Sequence, residues 1–177
     1  MLEIFNPLNA MDNIQAFLVA GGNVLVVIMV VTFIMWLLVI ERLLYFSMAS
    51  GGVCKKARSI WSERQDTRSW YATSIRNKLI SEVRESSYHN LGGIKAFVAI
   101  LPLLGLLGTV TGMVEVFDVM AATGSSNARL MAGGITKATI PTMAGLVASL
   151  SGILMLNILE RQANKNVSEV SDNLVIG

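Results

Sequence analysis

Thr109 and Thr142 stand inside long apolar stretches and Lys137 opens one, places where a polar side chain either has a task or has to be satisfied locally. Their chemistry is narrow. A threonine hydroxyl donates one hydrogen bond and accepts others, so it can orient water, but it does not titrate near neutral pH. A lysine can pair with a carboxylate, or run its apolar stem toward an interface and leave the ammonium in water. Small residues accompany them. Gly105, Gly108, Thr109 and Gly112 are spaced three, one and three, and Ala138, Thr142, Gly145, Ser149 and Gly152 are spaced four, three, four and three, so each set occupies one face of a helix. Such a face has two readings, close packing of helices joined by Ser and Thr hydrogen bonds or the wall of a wet path, and both stay open at this point.

The composition narrows the setting. The 177 residues are 53% hydrophobic and 15% charged, displaced from a soluble domain toward a membrane protein. The 14 Lys and Arg form no run with interleaved aromatics, so no nucleic-acid partner is expected. Cys54 is the single cysteine and His89 the single histidine, which excludes an intrachain disulfide and a zinc cluster, and both read as incidental. No carboxylate pair, Ser/His arrangement or metal set converges on one depth, so we expect no enzyme, no catalytic residue, no metal and no cofactor. Glu115 and Asp118 read as ordinary solvated charges at the end of a span.

The elements that must position these residues are three uncharged runs. The first, 21–40, ends on Glu41 and Arg42; the second, Ala96 to Val114, is bounded by Lys95 and Glu115; the third lies between Lys137 and Glu160. Each approaches the roughly 20 residues that cross a bilayer core. The first lacks a basic n-region before it and a cleavage motif after it, so it reads as a span and not a signal peptide. The expected fold is all-α: a three-span integral membrane protein of long helices. Its segments are an outer amphipathic helix (1–20), the first span (21–40), an inner helical loop (41–95), the second span (96–118), a short outer loop (119–133), the third span (134–159) and an inner tail (160–177). Orientation follows from charge: ten of the 14 Lys and Arg lie in 41–95, which places that loop and the C-terminal tail inside and the N-terminus outside.

Smaller features also have a form. Leu8, Met11, Ile14, Phe17 and Leu18 recur at helical spacing, as in a helix lying on the outer membrane face or, alternatively, a frayed terminus. Asp66 is placed to cap a helix whose stripe of Tyr71, Ile75, Leu79 and Val83 wants a partner helix, from this chain or from another copy. Counting 1.5 Å per residue, Thr109 rises about 21 Å beyond Lys95 and Thr142 about 27 Å beyond Glu160, so the two hydroxyls lie in nearly one layer. Lys137 lies about 35 Å beyond Glu160, near the outer rim. There it either snorkels to water or faces a wet path or a carboxylate of another chain, and Pro141 is expected to bend the helix between it and Thr142.

At these residues the sequence resembles a known family. The string PLLGLLGTVTGM, Pro102 to Met113, looks like the second-span signature of the ExbB/TolQ/MotA proton-channel family, most closely its ExbB branch. GGITKATIPTMAGLVASLSG, Gly133 to Gly152, is similar to the family's third span, and IERL at 40–43 fits the end of its first. The inner loop is short, like that of the compact ExbB proteins of accessory TonB systems.

The resemblance implies a bacterial inner-membrane protein forming a homopentameric ring with a central pore lined by the second and third spans. Single helices of ExbD-like subunits would occupy that pore. Protons would pass a carboxylate on the partner helix, and the resulting motion would be handed to a TonB-like protein that energises outer-membrane transport. Other copies of this chain and membrane lipids complete the expected partners. The family's pore threonines correspond to Thr109 and Thr142, and Gly105, Gly108, Gly112, Gly145, Ser149 and Gly152 become close-packing or pore-face residues. Lys137 joins them on the pathway as a departure, because it stands where the branch commonly has glutamate, and a carboxylate cannot be supplied there. A TolQ-like or MotA-like output, a passive scaffold and a self-contained channel are the competing readings.

Overall fold

The computed structural model describes residues 7–48, 50–63, 69–124 and 128–174; at 7–16, 19, 20, 50, 123 and 128–130 it describes backbone alone. All regular elements among these residues are helices: α1 (Pro7–Met48), α2 (Ser50–Ser62), α3 (Trp70–Tyr88), α4 (Leu91–Thr123) and α5 (Ala128–Asn173). Three helical stretches are long and apolar enough to cross a membrane, Gly21–Met48, Trp70–Ala122 and Met131–Asn173. The chain is thus an all-helical protein with three candidate spans.

The long helices share one burial rhythm. Leu25, Ile28, Met35, Val39 and Arg42 are buried on α1; Leu91, Ile94, Val98, Leu101, Gly105 and Gly108 on α4. On α5 the series runs Gly145, Ser149, Gly152, Leu156, Leu159, Ala163, Asn166 and Val170. Spacings that alternate three and four keep one narrow face of a helix against its neighbours, as in left-handed supercoiled packing. Leu103, Met143 and Val147, off these faces, are each more than 60% exposed, which suits side chains that meet lipid or other protein.

The chain divides into two compact units, Met1–Met35 with Phe97–Ser151, and Trp36–Ala96 with Gly152–Gly177. In the first, α1 is interrupted at Gly22, whose φ of 64° and ψ of −164° lie in a region open essentially to glycine. Of the N-terminal stripe, Leu8, Met11 and Ile14 have side chains outside the described residues; Phe17 is exposed and Leu18 half-buried. The rest of this unit is the antiparallel seam of α4 and α5.

The second unit has a hydrophobic core of its own. Ala57 and Trp61 from α2, Ala72, Leu79 and Val83 from α3, and Val170 and Leu174 from the end of the chain form one buried cluster. The partner of the α3 stripe therefore comes from the same chain. Arginines fasten its edge: Arg76 donates from Nε to the Leu174 carbonyl at 2.6 Å and from Nη2 to that of Ser171 at 3.0 Å, while Arg58 pairs with Glu169 at 2.6 Å. These are charge-assisted bonds, roughly twice as strong as neutral ones.

Several expectations need correction. Asp66 lies outside the described residues, and the cap of α3 is Ser69, whose side chain accepts from the Ala72 N–H. Tyr71 is 63% exposed and stands off the buried face, which runs instead through Ala72, Leu79, Val83 and Ser87. Residues 119–123 and 128–133, expected as loop, are helical. The tail from 160 is helical as far as Asn173, because the heptad rhythm of α5 continues past Glu160 with Ala163, Asn166 and Val170 buried. Pro141 sits within α5 without interrupting it.

Candidate functional site: the seam of the two inner helices

In lipid, helices gain little from burying apolar groups against one another, so contact depends on close approach and on hydrogen bonds. The α4–α5 seam is built that way. A Cβ placed on Gly105 would stand 3.0 Å from the Thr142 Cα, and one on Gly112 would stand 2.7 Å from the Ala138 Cβ. At Gly145 it would lie 2.6 Å from the carbonyl oxygen of Leu101. Facing backbones thus touch where the glycines lie, and only glycine permits that distance. Gly108, beside Pro141 and Val24, continues the same line, and Gly152 is buried on the α5 face.

Two hydroxyls bond across the seam. Thr142 Oγ1 donates to the Gly105 carbonyl at 2.8 Å, and Ser149 Oγ donates to that of Val98 at 2.9 Å. Most other hydroxyls of this unit turn back on their own helix: Thr109 donates to Leu106 at 2.7 Å, Thr111 to Leu107 at 3.0 Å and Thr139 to Thr136 at 2.9 Å. The Gly105 carbonyl is also the helical acceptor for the Thr109 N–H, four residues on. Thr142 is thereby brought to the turn of α4 that begins at Gly105 and ends at Thr109. From the contacts at 105, 108 and 112, Thr109 is level with residue 139 or 140, about 3 Å along the axis from Thr142. Both side chains are half-buried. Since a carbonyl cannot donate, each hydroxyl proton is committed, and what each threonine can offer to a further partner is oxygen lone pairs.

Lys137 lies about 7.5 Å along α5 from Thr142. Its Nζ is 3.1 Å from Oε2 of Glu115, with side chains 44% and 65% exposed. The expectation that Glu115 is an ordinary solvated charge therefore needs amending: it is the counterion of Lys137, supplied by the same chain. The height count that placed the threonines also carried the signal, because Glu115 rises about 30 Å beyond Lys95, within about 5 Å of Lys137. A cavity of about 240 Å³ borders the pair, lined on α1 by Gly21, Gly22, Asn23 and Val24 and on α4 by Gly108, Thr111 and Gly112. An exposed pair of this kind adds at most about 1 kcal/mol to stability, so its main effect is local neutralisation.

The class of protein these features define is a multi-span helical membrane protein whose second and third spans meet along a glycine–threonine seam. A sequence model of the MotA/TolQ/ExbB proton channel family matches residues 48–172, and the chain belongs to that family. Within the family it is ExbB-like. The biopolymer transport protein ExbB of Salmonella typhimurium is 35% identical over 81 residues, covering 46% of this chain and 33% of that protein. The biopolymer transport protein exbB1 of Vibrio cholerae is 37% identical over 76 residues, 42% of this chain and 33% of that protein. A putative ExbB-like biopolymer transport protein of Helicobacter pylori is 28% identical over 100 residues, with 56% and 53% covered. The matched stretches thus span about a third to a half of these relatives' lengths.

Proposed function

We propose that the chain is the stator and proton-channel subunit of an ExbB–ExbD type motor in the bacterial inner membrane, driven by the proton-motive force and energising TonB-dependent outer-membrane transport. The observation that supports this reading is the bond from Thr142 to the Gly105 carbonyl, which sets Thr142 within about 3 Å along the axis of the level of Thr109 in the α4–α5 seam, inside the segment that matches the family. Their hydroxyl protons are engaged, so they present acceptor oxygens in a layer of otherwise apolar wall. Such oxygens orient water or a hydrated proton by accepting hydrogen bonds. They do not carry the proton, and the titrating group is assigned to the ExbD-like partner helix. The apolar surfaces of Leu103, Leu106, Met143 and Leu146, all more than half exposed, leave room for neighbouring copies in a homopentameric ring and for lipid. In this reading the N-terminus is periplasmic and the C-terminus cytoplasmic, and Lys137 is held in place by Glu115.

The test is uptake through TonB-dependent receptors together with native mass spectrometry of the gently extracted complex. Thr109→Val and Thr142→Val are expected to lower uptake at least tenfold while the ring and its single-span partner remain. Thr142→Ser, which retains the bond to Gly105, should recover most of the activity. Full uptake in both valine variants, or a chain that extracts as a lone monomer without a single-span partner, overturns the reading.

A further inference from the structure

The corner between α3 and α4, in the second unit, is fastened by groups that the seam does not use. α3 ends at Tyr88, His89 caps it by donating its N–H to the Glu85 carbonyl, and Asn90 adopts a φ of 60° before α4 begins. Left-handed backbone is rare outside glycine and best tolerated by Asn. Three residues of α1 hold this corner. Arg42 Nη1 donates to the Ser86 carbonyl at 3.2 Å, one of the last-turn acceptors that α3 leaves open. Tyr45 Oη meets Ser86 Oγ at 2.5 Å, and Glu41 Oε2 accepts from Asn90 Nδ2 at 2.8 Å. The last contact is between Arg42 Nη2 and Nδ1 of His89, at 2.8 Å.

That contact has only one chemical form. A guanidinium donates and cannot accept, so Nδ1 of His89 carries a lone pair, and the neutral ring bears its proton on Nε2. Protonating the ring would place an N–H and a second positive charge directly against the arginine. Arg42 cannot retreat to water easily: its side chain is 4% exposed, and its Nε already has no hydrogen-bond partner. The imidazole is the mobile member, since His89 is exposed at the surface.

It also has somewhere to go. Arg42, Tyr45, Ser86 and His89 line a cavity of about 390 Å³ together with the carboxylates of Glu82 and Glu85. The charged groups of α1 and α3 around this cavity are Arg42, with Glu41 at 3.3 Å, and Glu82 and Glu85, with Lys78 3.9 Å from Glu82. On its other side, Tyr88 donates to Asn164 of α5 at 2.5 Å, and the cavity beside the ring is lined from α1 and α3. A neutral ring is therefore held by Arg42, and a protonated one is repelled by it and drawn toward Glu82 and Glu85.

We propose that His89 is a proton-operated latch, closed when neutral and open when protonated, that sets how firmly the start of α4 is tied to α1. The latch responds to protonation of the ring, because Arg42 can donate to Nδ1 only while that nitrogen keeps its lone pair. This inference is independent of the proposed motor function and is tested without any transport assay.

The single histidine makes the experiment direct. The full chain, labelled with ¹⁵N-histidine and placed in lipid nanodiscs, should show at about pH 8 a neutral ring protonated on Nε2. Amide hydrogen exchange of residues 86–94, corrected for the intrinsic pH dependence of exchange, should rise at least fivefold between about pH 8 and pH 5.5. His89→Asn preserves an acceptor for Arg42 that does not titrate, and it should abolish that rise. A ring protonated on Nδ1 at the higher pH overturns the latch, as does an equal rise in the variant. Should the variant not fold, the tautomer and the exchange of the wild-type chain still decide.

Discussion

The two units of this chain solve one problem, holding helices together, by opposite means. Around the α4–α5 seam the contact residues are Gly105, Gly112, Ala138 and Gly145, and the attraction comes from backbone proximity and two hydroxyl bonds to carbonyls. In the other unit they are Trp61, Leu79, Val83, Val170 and Leu174, edged by Arg58 and Arg76. α5 contributes to both with an unbroken three-and-four rhythm, so geometry is not what distinguishes them. Solvent is. Water drives Leu and Val inward and rewards charged edges, whereas lipid is as apolar as Leu and leaves dispersion and hydrogen bonding to do the joining.

The sharpest way to break this comparison is to put side chains on glycines of each unit. Gly145→Leu would force the Leu101 carbonyl and the Gly105 Cα away from α5, because the new Cβ alone would lie 2.6 Å from the first and 3.2 Å from the second. We expect loss of the folded, assembled protein from the membrane fraction, read by size-exclusion chromatography in detergent. Gly52, in α2, has nothing within 4 Å of such a Cβ, and Gly52→Ala should stabilise the chain by about 0.4–1 kcal/mol through a less free unfolded state. Opposite signs from two glycine substitutions would sustain the distinction; equal tolerance would remove it.

A smaller effect than that of Gly145→Leu is expected from the watery side. Leu79 is 6% exposed within its cluster, and Leu79→Ala should cost about 2–5 kcal/mol by removing buried methyls and leaving a cavity. Hydrogen exchange should then increase in α2, in α3 and at residues 163–174, while the seam residues 98–112 keep their protection. Loosening of the seam to the same degree would show that the two units do not behave as separate cores.

How much of this was legible before the structure depends on distance along the chain. The three uncharged runs, the small-residue faces and the stripe at Leu79 and Val83 are local patterns, and each lies on a helix, with Leu79 and Val83 buried and Tyr71 exposed. The continuation of α5 beyond Glu160 was also legible: Leu156, Leu159, Ala163, Asn166 and Val170 keep the period of Gly145, Ser149 and Gly152, and only the change from small to mixed residues conceals it. Glu115 and Lys137 could have been paired by counting rises from the inner charges. The α1 to α3 corner could not, because Arg42 and His89 are 47 residues apart and meet only through the left-handed turn at Asn90. Nor does periodicity decide between pore wall and packing face at the glycines, since both uses favour the same residues at the same spacing.

The smallest effect tests whether the watery core has a chemical signature of its own. Cys54, half-buried on α2, packs against the cluster of Leu79 and Val83. Burial raises its thiol above the ordinary value of 9.0; nearby Arg58 opposes this and Glu169 adds to it. A raised folded-state value means that the folded chain holds the thiol proton longer than the unfolded chain does. The associated stability is therefore fully present below the unfolded-state value and is lost as pH rises through the folded-state one. The melting temperature of the wild-type chain should fall more steeply above about pH 9 than that of Cys54→Ala, by a degree or two, and alkylation of Cys54 should lag behind that of a model thiol. Parallel pH curves for the two chains would mean that this edge of the cluster is wet, and the contrast with the seam would then rest on Leu79, Val83 and Trp61 alone.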